Sequence, residues 1–266
     1  MTDKGALLDR LGLTGEDRLT LAKVLDRAAR AEQRNIPAAT DFLSPRQRSL
    51  ALDLLRLAGV SETAFVCQGG YQGAERQLIL FLPGWMDPEN AEGQSPIRCL
   101  RASYRKEDAP SHRDLLGSLM GMGIIREKVG DILVGPDSAD LLVLEGVADF
   151  LMQSWASAGR AKLHVSAIEA GRLHIPAVAR KEVRDTVSSL RLDAVAASGF
   201  RMARGKAAGL IESGKVQLNW RECTKPDKLL EAGDVVSARG FGKFELAGVE
   251  GLTRKGRISI LLQVYV

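Results

Sequence analysis

The sequence is poor in the residues that build metal sites and disulfide frameworks. Its 266 residues include three cysteines and three histidines, and Cys67, Cys99 and Cys223 stand far apart with no C-x-x-C spacing. Zinc sites and disulfide frameworks need clustered ligands, so we expect neither, and we expect no cofactor. We interpret the cysteines as small apolar residues in a reducing cytoplasm.

Long apolar runs are missing as well. The longest, such as Leu141 to Leu144 and Ile258 to Leu262, have the length of strands, whereas a membrane helix needs about 18 apolar residues. Thr2, Asp3 and Lys4 begin an amphipathic pattern instead of the basic and apolar pattern of a signal peptide. We therefore expect a cytoplasmic protein without membrane insertion.

Positive charge is concentrated in the last third of the chain. The net charge is +4, and residues 1–180 carry 22 Lys and Arg against 23 Asp and Glu. Residues 181–266 carry 15 against 10, so the whole basic excess lies there. A basic segment on a nearly neutral carrier indicates a polyanionic partner, although a solvated surface can be equally basic.

Periodicity divides the chain into segments, and the predicted fold class is α+β. Residues 1–60 repeat apolar residues at three- and four-residue spacing, which predicts a helical N-terminal layer. Over 61–170 apolar residues recur mostly at two-residue spacing, as in strands, and two helical segments interrupt this pattern. The mixture predicts a ferredoxin-like or RRM-like domain. Residues 171–187 are polar and contain Pro176, so we predict a linker, followed by a last domain over 188–266.

The RRM-like label concerns shape only. A true RRM binds RNA with aromatic residues on its sheet, in a pattern such as Lys-Gly-Phe-Gly-Phe. No segment of the predicted middle domain matches that pattern. We interpret Tyr71, Trp85 and Tyr104 as packing or loop residues.

The last domain places its cations where phosphate binding is favourable. Arg201, Arg204 and Lys206 cluster at the start of the second of two short predicted helices. The helix dipole and free backbone amides favour an anion at that position. Lys215 and Arg239 stand where predicted strands, Val216 to Asn219 and Val235 to Arg239, meet turns. Such a set can hold phosphates without reading base identity.

This order of elements resembles the S4 domain found in ribosomal protein S4, tyrosyl-tRNA synthetases, pseudouridine synthases and heat-shock ribosome-binding proteins. In that family the helix pair and the following strands form the RNA-binding face. Two departures are Ala203, where serine is usual, and Trp220, where glycine is common. The resemblance implies that seven cations contact RNA: Arg191, Arg201, Arg204, Lys206, Lys215, Arg239 and Lys243.

Longer matches narrow the resemblance to YlmH-type S4 proteins, called photosystem II S4 domain proteins in oxygenic phototrophs. They are Asn219-Trp220, the strings over 239–244 and 253–258, and the stretch from His112 to Gly135. The resemblance implies a cytoplasmic protein that binds structured rRNA or tRNA, with the large ribosomal subunit as the expected partner. We expect a monomer with no preference for DNA.

The predicted middle domain contributes four further candidates: His112, Arg113, Arg126 and Lys128. They could form a second basic RNA surface that recognises shape and phosphates. Alternatively, the arginines could pair with the neighbouring acids Asp114, Glu127 or Asp131 and act structurally. Both interpretations stay open at this point.

Catalytic signatures are weak. Gly171-Arg172-Leu173-His174 has histidine where the Gly-Arg-Leu-Asp motif of pseudouridine synthases supplies the catalytic aspartate. The glycine-rich segment 69–73 precedes a predicted strand, whereas a cofactor-binding turn joins a strand to a helix. The sequence therefore predicts a non-catalytic RNA-binding protein. The alternatives are an S4-guided RNA-modifying enzyme and an RNA–protein adaptor, for example in photosystem assembly.

Overall fold

Contacts within the chain divide it after Pro176 into two units. The computed structural model describes residues 3–176 and 180–265. In that part of the chain no helix is both long enough and apolar enough to cross a membrane. Each unit has its own buried core, and the two are described separately below.

The first unit begins with three helices and a small antiparallel sheet in the order β1-β3-β2. Pro45 opens the third helix, and Ser44 and Gln47 close a reciprocal capping box at its start. These elements are α1 (Lys4–Arg10), α2 (Gly15–Arg34), β1 (Ala38–Ala39), α3 (Pro45–Leu57), β2 (Phe65–Gln68) and β3 (Leu78–Phe81).

The predicted domain boundary at residue 60 does not match this arrangement. Strands β2 and β3 follow that boundary but share a sheet with β1, which precedes it. The N-terminal helical layer thus continues into a sheet that ends at Phe81. A two-residue strand such as β1 carries no readable period, so the sequence could not indicate this pairing.

The rest of the first unit is a four-stranded antiparallel sheet with two helices. Its order, β5-β6-β4-β9, combined with β-α-β-β-α-β connectivity, is the ferredoxin-like arrangement. The mixture of helices and sheets confirms the predicted α+β class. The elements are β4 (Ile97–Ser103), α4 (His112–Gly121), β5 (Val129–Val134), β6 (Ser138–Leu144), α5 (Glu145–Ser154), β7 (Ser157–Ala158), β8 (Ala161–Lys162) and β9 (His164–Ile168).

Both faces of this sheet are covered. Leu100 and Leu141 pack on the side of α4 and α5, and because strand residues alternate, Cys99 and Leu142 point the other way. There they share a buried cluster with Phe42, Leu78 and Leu80 of the N-terminal elements. The sheet face with which an RRM binds RNA is therefore occupied by this protein's own core.

The second unit packs two helices on one face of a six-stranded antiparallel sheet in the order β10-β15-β14-β13-β11-β12. Its helices are α6 (Leu192–Gly199) and α7 (Arg204–Glu212). Its strands are β10 (Arg180–Val187), β11 (Val216–Leu218), β12 (Arg221–Glu222), β13 (Val235–Ala238), β14 (Gly242–Leu252) and β15 (Ile258–Tyr265).

The linker predicted over 171–187 is wrong for its last eight residues. Strand β10 pairs with β15 along its whole length, from Arg180 opposite Tyr265 to Val187 opposite Ile258. It is an edge strand with mostly exposed side chains, so its composition is that of a loop. Residues 177–179 of the predicted linker lie outside the described residues.

Replacing Phe42 tests whether the covered sheet face stabilises the first unit. Phe42 is completely buried, and Phe42→Ala should lower the opening free energy of the β6 amides by about 3–5 kcal/mol. Native-state hydrogen exchange measures this quantity. The control is Phe150→Ala, which removes a half-exposed side chain from α5. It should lower the same opening free energy by at most about 1 kcal/mol. Equal losses in the two variants would contradict the packing described here.

Candidate nucleic-acid interface

Asp193 is the buried acid that organises the start of α6. Arg191 donates to it from Nε at 3.2 Å and from Nη2 at 3.3 Å. Arg204 at the start of α7 donates from Nε at 3.1 Å and from Nη2 at 3.0 Å. One carboxylate therefore holds the guanidinium groups of both helix starts together.

The ionised form of Asp193 is favoured despite burial. Burial would raise the pKa of this carboxyl, but the hydrogen bonds and charges of Arg191 and Arg204 outweigh that effect and lower it. Both arginine side chains stay partly open to solvent, at 39% for Arg191 and 49% for Arg204. Each guanidinium has five N–H donors, so donors not directed at Asp193 can meet a phosphate.

The connection between α6 and α7 adds two more cations. Arg201 adopts the left-handed conformation with φ of 52° and is exposed. Lys206 lies in the first turn of α7 and is exposed as well. Ala203 caps α7 without a side-chain hydrogen bond, which leaves backbone amides at this helix start available to an anion.

Lys215 and Arg239 meet at the far end of the β11–β13 pair. The last paired residues are Val216 and Ala238, so the two cations occupy the next opposed positions. Both are exposed and line one groove of about 440 Å³. The structure thus brings together a pair that stands 24 positions apart in the sequence.

Lys243 lies on the sheet face opposite the helix pair. Phe244 points into the core beneath α6, so its neighbour Lys243 projects from the opposite side of the sheet. Its ammonium group lies 4.2 Å from the centre of the Tyr265 ring. Its cross-strand partner Ser237 lines the groove of Lys215 and Arg239, so Lys243 lies on the same side of the sheet as that groove.

A basic turn that was not among the predicted site residues extends the surface near α7. Arg257 lines a groove of about 360 Å³ together with Arg204, and its guanidinium donates to the side chain and the carbonyl of Thr186. Arg254 and Lys255 are exposed at the tip of the same β14–β15 turn. The position of this turn beside Arg204 depends on tertiary structure.

The four candidates of the middle domain fall into two environments. Arg126 donates to the carbonyls of Val129 and Gly130, and burial lowers its pKa. Lys128 pairs with Asp41 at 2.7 Å. Both contacts favour the structural interpretation, although the partners are not the neighbouring acids. His112 and Arg113, in contrast, are exposed in the first turn of α4.

Asp131 belongs to a polar junction between the N-terminal elements and the ferredoxin-like sheet. It accepts hydrogen bonds from the Tyr71 hydroxyl at 2.8 Å and from the Arg76 amide at 3.1 Å. The Arg76 guanidinium in turn donates to the carbonyl of Phe42 at 3.1 Å. Burial, followed by the charge of Arg126, lowers the pKa of Arg76 to about 10. These polar groups stabilise the fold instead of lining an open site.

The segment 171–174, which resembles a pseudouridine synthase motif, is fixed by hydrogen bonds between its backbone and the side chains of Arg101 and Asp140. Buried Asp140 binds both Nε and Nη2 of Arg101 at 2.7 Å and accepts from the amide of His174 at 2.7 Å. Arg101 also donates to the carbonyl of Arg172 at 2.7 Å. The motif therefore has a structural explanation. Within residues 3–176 and 180–265, no group of three or more His, Cys, Asp or Glu could hold a metal ion.

The helix pair, the sheet behind it and the basic helix starts define the second unit as an S4-type RNA-binding domain. The family model "S4 domain" matches residues 190–236. Two further models match the first unit: "YlmH, N-terminal" over 16–83 and "Putative RNA-binding domain in YlmH" over 101–171. The first of these spans β2 and β3, in agreement with the sheet that they share with β1.

Two known proteins are similar over large parts of the chain. "Ribosome-associated protein quality control protein P2" of Bacillus subtilis (strain 168) is 37% identical over 219 residues, covering 82% of this chain and 83% of the relative. The solved structure "Cell division protein ylmH from Streptococcus pneumoniae" has a TM-score of 0.50 at 20% identity and covers 62% of this chain and 97% of its own. The chain belongs to the YlmH family, which confirms the resemblance drawn from its sequence.

The pH dependence of stability tests the role of Asp193. Asp193→Asn should lower the opening free energy of buried α6 amides at pH 7 by about 1–3 kcal/mol, because two arginines lose an ionised acceptor. Since the folded pKa is lowered, the advantage of the native residue is complete above about pH 4 and shrinks as the pH falls through the folded pKa.

Hydrogen exchange at several pH values measures both effects. Asp227→Asn is the matched control, because Asp227 is exposed and acts on Arg191 through its charge alone. A pH-independent difference between Asp193→Asn and the native protein would contradict the assignment of the ionised carboxylate.

Proposed function

We propose that this protein binds structured RNA of the ribosome, either rRNA or tRNA, through its S4 surface, and that it does so without catalysing a reaction. The observation that carries the proposal is the pair of half-exposed guanidinium groups that one buried carboxylate holds at adjacent helix starts. We take the large ribosomal subunit as the partner and a monomer as the binding form. The Bacillus subtilis relative is described as ribosome-associated, which supports a ribosomal partner.

The arrangement suits a phosphate backbone. Arg191 and Arg204 are fixed by Asp193, so less side-chain entropy is lost when they bind an anion. Arg201 and Lys206 add flexible charges beside them, and Lys215 with Arg239 extends the surface along the sheet end. Phosphates spaced along a folded RNA can meet such a row without any base being read.

A salt series with a double variant tests the proposal directly. Removing two phosphate contacts with Arg201→Ala and Lys206→Ala should reduce the slope of log affinity against log salt by about 1.4 to 1.8, at roughly 0.7–0.9 per contact. Filter binding of the full-length protein to tRNA and to large ribosomal subunits measures the slope. Arg204 is left in place because its loss would also unbalance Asp193.

The control is a double variant with the same change in charge elsewhere. Lys23→Ala with Arg30→Ala removes two exposed cations from α2 and should leave the slope unchanged. If both double variants reduce the slope equally, affinity depends on net charge and the S4 surface has no special part. If the native protein binds neither RNA, the proposed function is wrong.

We extend the proposal to a second contact surface at His112 and Arg113 on α4. Both are exposed in the first turn of α4, where their side chains can meet phosphates from solvent. Arg113→Ala should therefore reduce the salt slope by about 0.7 to 0.9 on an RNA long enough to reach both units. Lys128→Ala is the comparison, because its ammonium group pairs with Asp41.

The two variants should differ in their readouts. Lys128→Ala should lower the thermal midpoint of unfolding and leave the salt slope intact. Arg113→Ala should reduce the salt slope and leave the thermal midpoint unchanged. An unchanged slope in Arg113→Ala would limit the RNA surface to the S4 unit.

A further inference from the structure

We propose that Phe241 is a stacking platform for an unpaired RNA base on the S4 surface. Its ring is 40% exposed in the turn between β13 and β14. This inference rests on the proposed function, because it assigns a second kind of contact to the same surface. The ligand is an unpaired base, which stacks on the ring through its π-face.

The ring is held in place from below by a row of aromatic residues. Phe244 is completely buried, and the Phe200 ring meets it edge-on at 5.0 Å. The Phe241 ring follows at 6.2 Å from Phe200 and ends the row at the surface. A ring anchored in this way loses little freedom when a base stacks on it, which favours binding.

Lys206 places a positive charge beside the exposed ring. The ammonium group of Lys206 lies 5.5 Å from the centre of the Phe241 ring, a distance typical of a cation–π contact. Arg201 follows Phe200 directly in the chain, and Arg239 precedes Phe241 by two positions in the same turn. A nucleotide whose base meets the ring therefore finds the positive charge of Lys206 close to its phosphate.

The backbone of the turn leaves room for a ligand. Gly240 and Gly242 flank Phe241 with φ of 85° and 94°, a region that favours glycine. Side-chain carbons built at either glycine would meet no atom within 4 Å. The glycines are thus required by conformation and not by crowding, and the space beside the turn backbone is open.

Stacking and phosphate binding differ in their response to salt. Stacking of one base on an aromatic side chain corresponds to roughly 5- to 100-fold in affinity and releases no counterions. Loss of the ring should thus shift a plot of log affinity against log salt without changing its slope. Loss of Lys206 should change the slope.

The experiment compares two RNA probes, a stem closed by an unpaired loop and a blunt duplex of the same stem, on the full-length protein. Phe241→Leu keeps an apolar side chain against Phe200 and should weaken binding of the looped stem by about fivefold or more at every salt concentration. Binding of the duplex should stay the same. Phe241→Tyr should restore native affinity, because it keeps the aromatic face.

Leu252→Ala is the control for an exposed apolar side chain in the same sheet, since Leu252 is 75% exposed, and it should bind both probes normally. Native affinity of Phe241→Leu for the looped stem would overturn the inference and leave the proposed function intact. Equal losses on both probes, or a loss that follows a lowered thermal midpoint, would overturn it as well. Failure of the native protein to bind either probe would refute both proposals.

Discussion

The second unit is organised around a carboxylate that lies out of water. Asp193 is 5% exposed, and a buried charge is tolerated only where partners compensate for its lost hydration. Arg191 and Arg204 supply that compensation from the starts of α6 and α7. The geometry of the helix pair and the placement of its cations therefore have one common cause. The compensation is needed in the folded state whether or not a ligand is present.

The basic residues of this surface differ in whether they pair with Asp193. Arg191 and Arg204 share the charge of Asp193, so their net attraction for an anion is weaker than that of isolated cations, but their positions are fixed. Arg201 and Lys206 are exposed close by, and neither forms an ion pair within the described residues. We infer that the first pair sets the orientation of a bound backbone and the second pair supplies most of the salt-dependent affinity.

The first unit limits where RNA can bind. Its ferredoxin-like sheet has the outline of an RRM, but Phe42, Leu78 and Leu80 cover the face that an RRM would offer. Any contact by this unit has to come from loops and helix starts, such as the exposed start of α4. The fold alone would have suggested the wrong surface, because function depends on the residues of a site and not on the fold that carries it.

Sequence reasoning succeeded where the signal is local and failed where it depends on tertiary contacts. The α6–α7 pair and strands β11 and β13 follow from caps, glycines and short-range periodicity, and the structure has them where they were predicted. Strand β10 was missed because a polar edge strand looks like a loop. The position of Arg257 beside Arg204 was missed because the two residues lie 53 positions apart.

Ion-pair partners are also difficult to predict from sequence spacing. Arg126 and Lys128 have acidic neighbours in the sequence, yet their partners are backbone carbonyls and the distant Asp41. Arg191 and Asp193, in contrast, are close in sequence and do pair, but the pair matters because Arg204 joins it from the next helix. Whether a basic residue is structural or available to a ligand thus depends on the partner that the fold brings next to it. Sequence spacing identifies only the candidate partners.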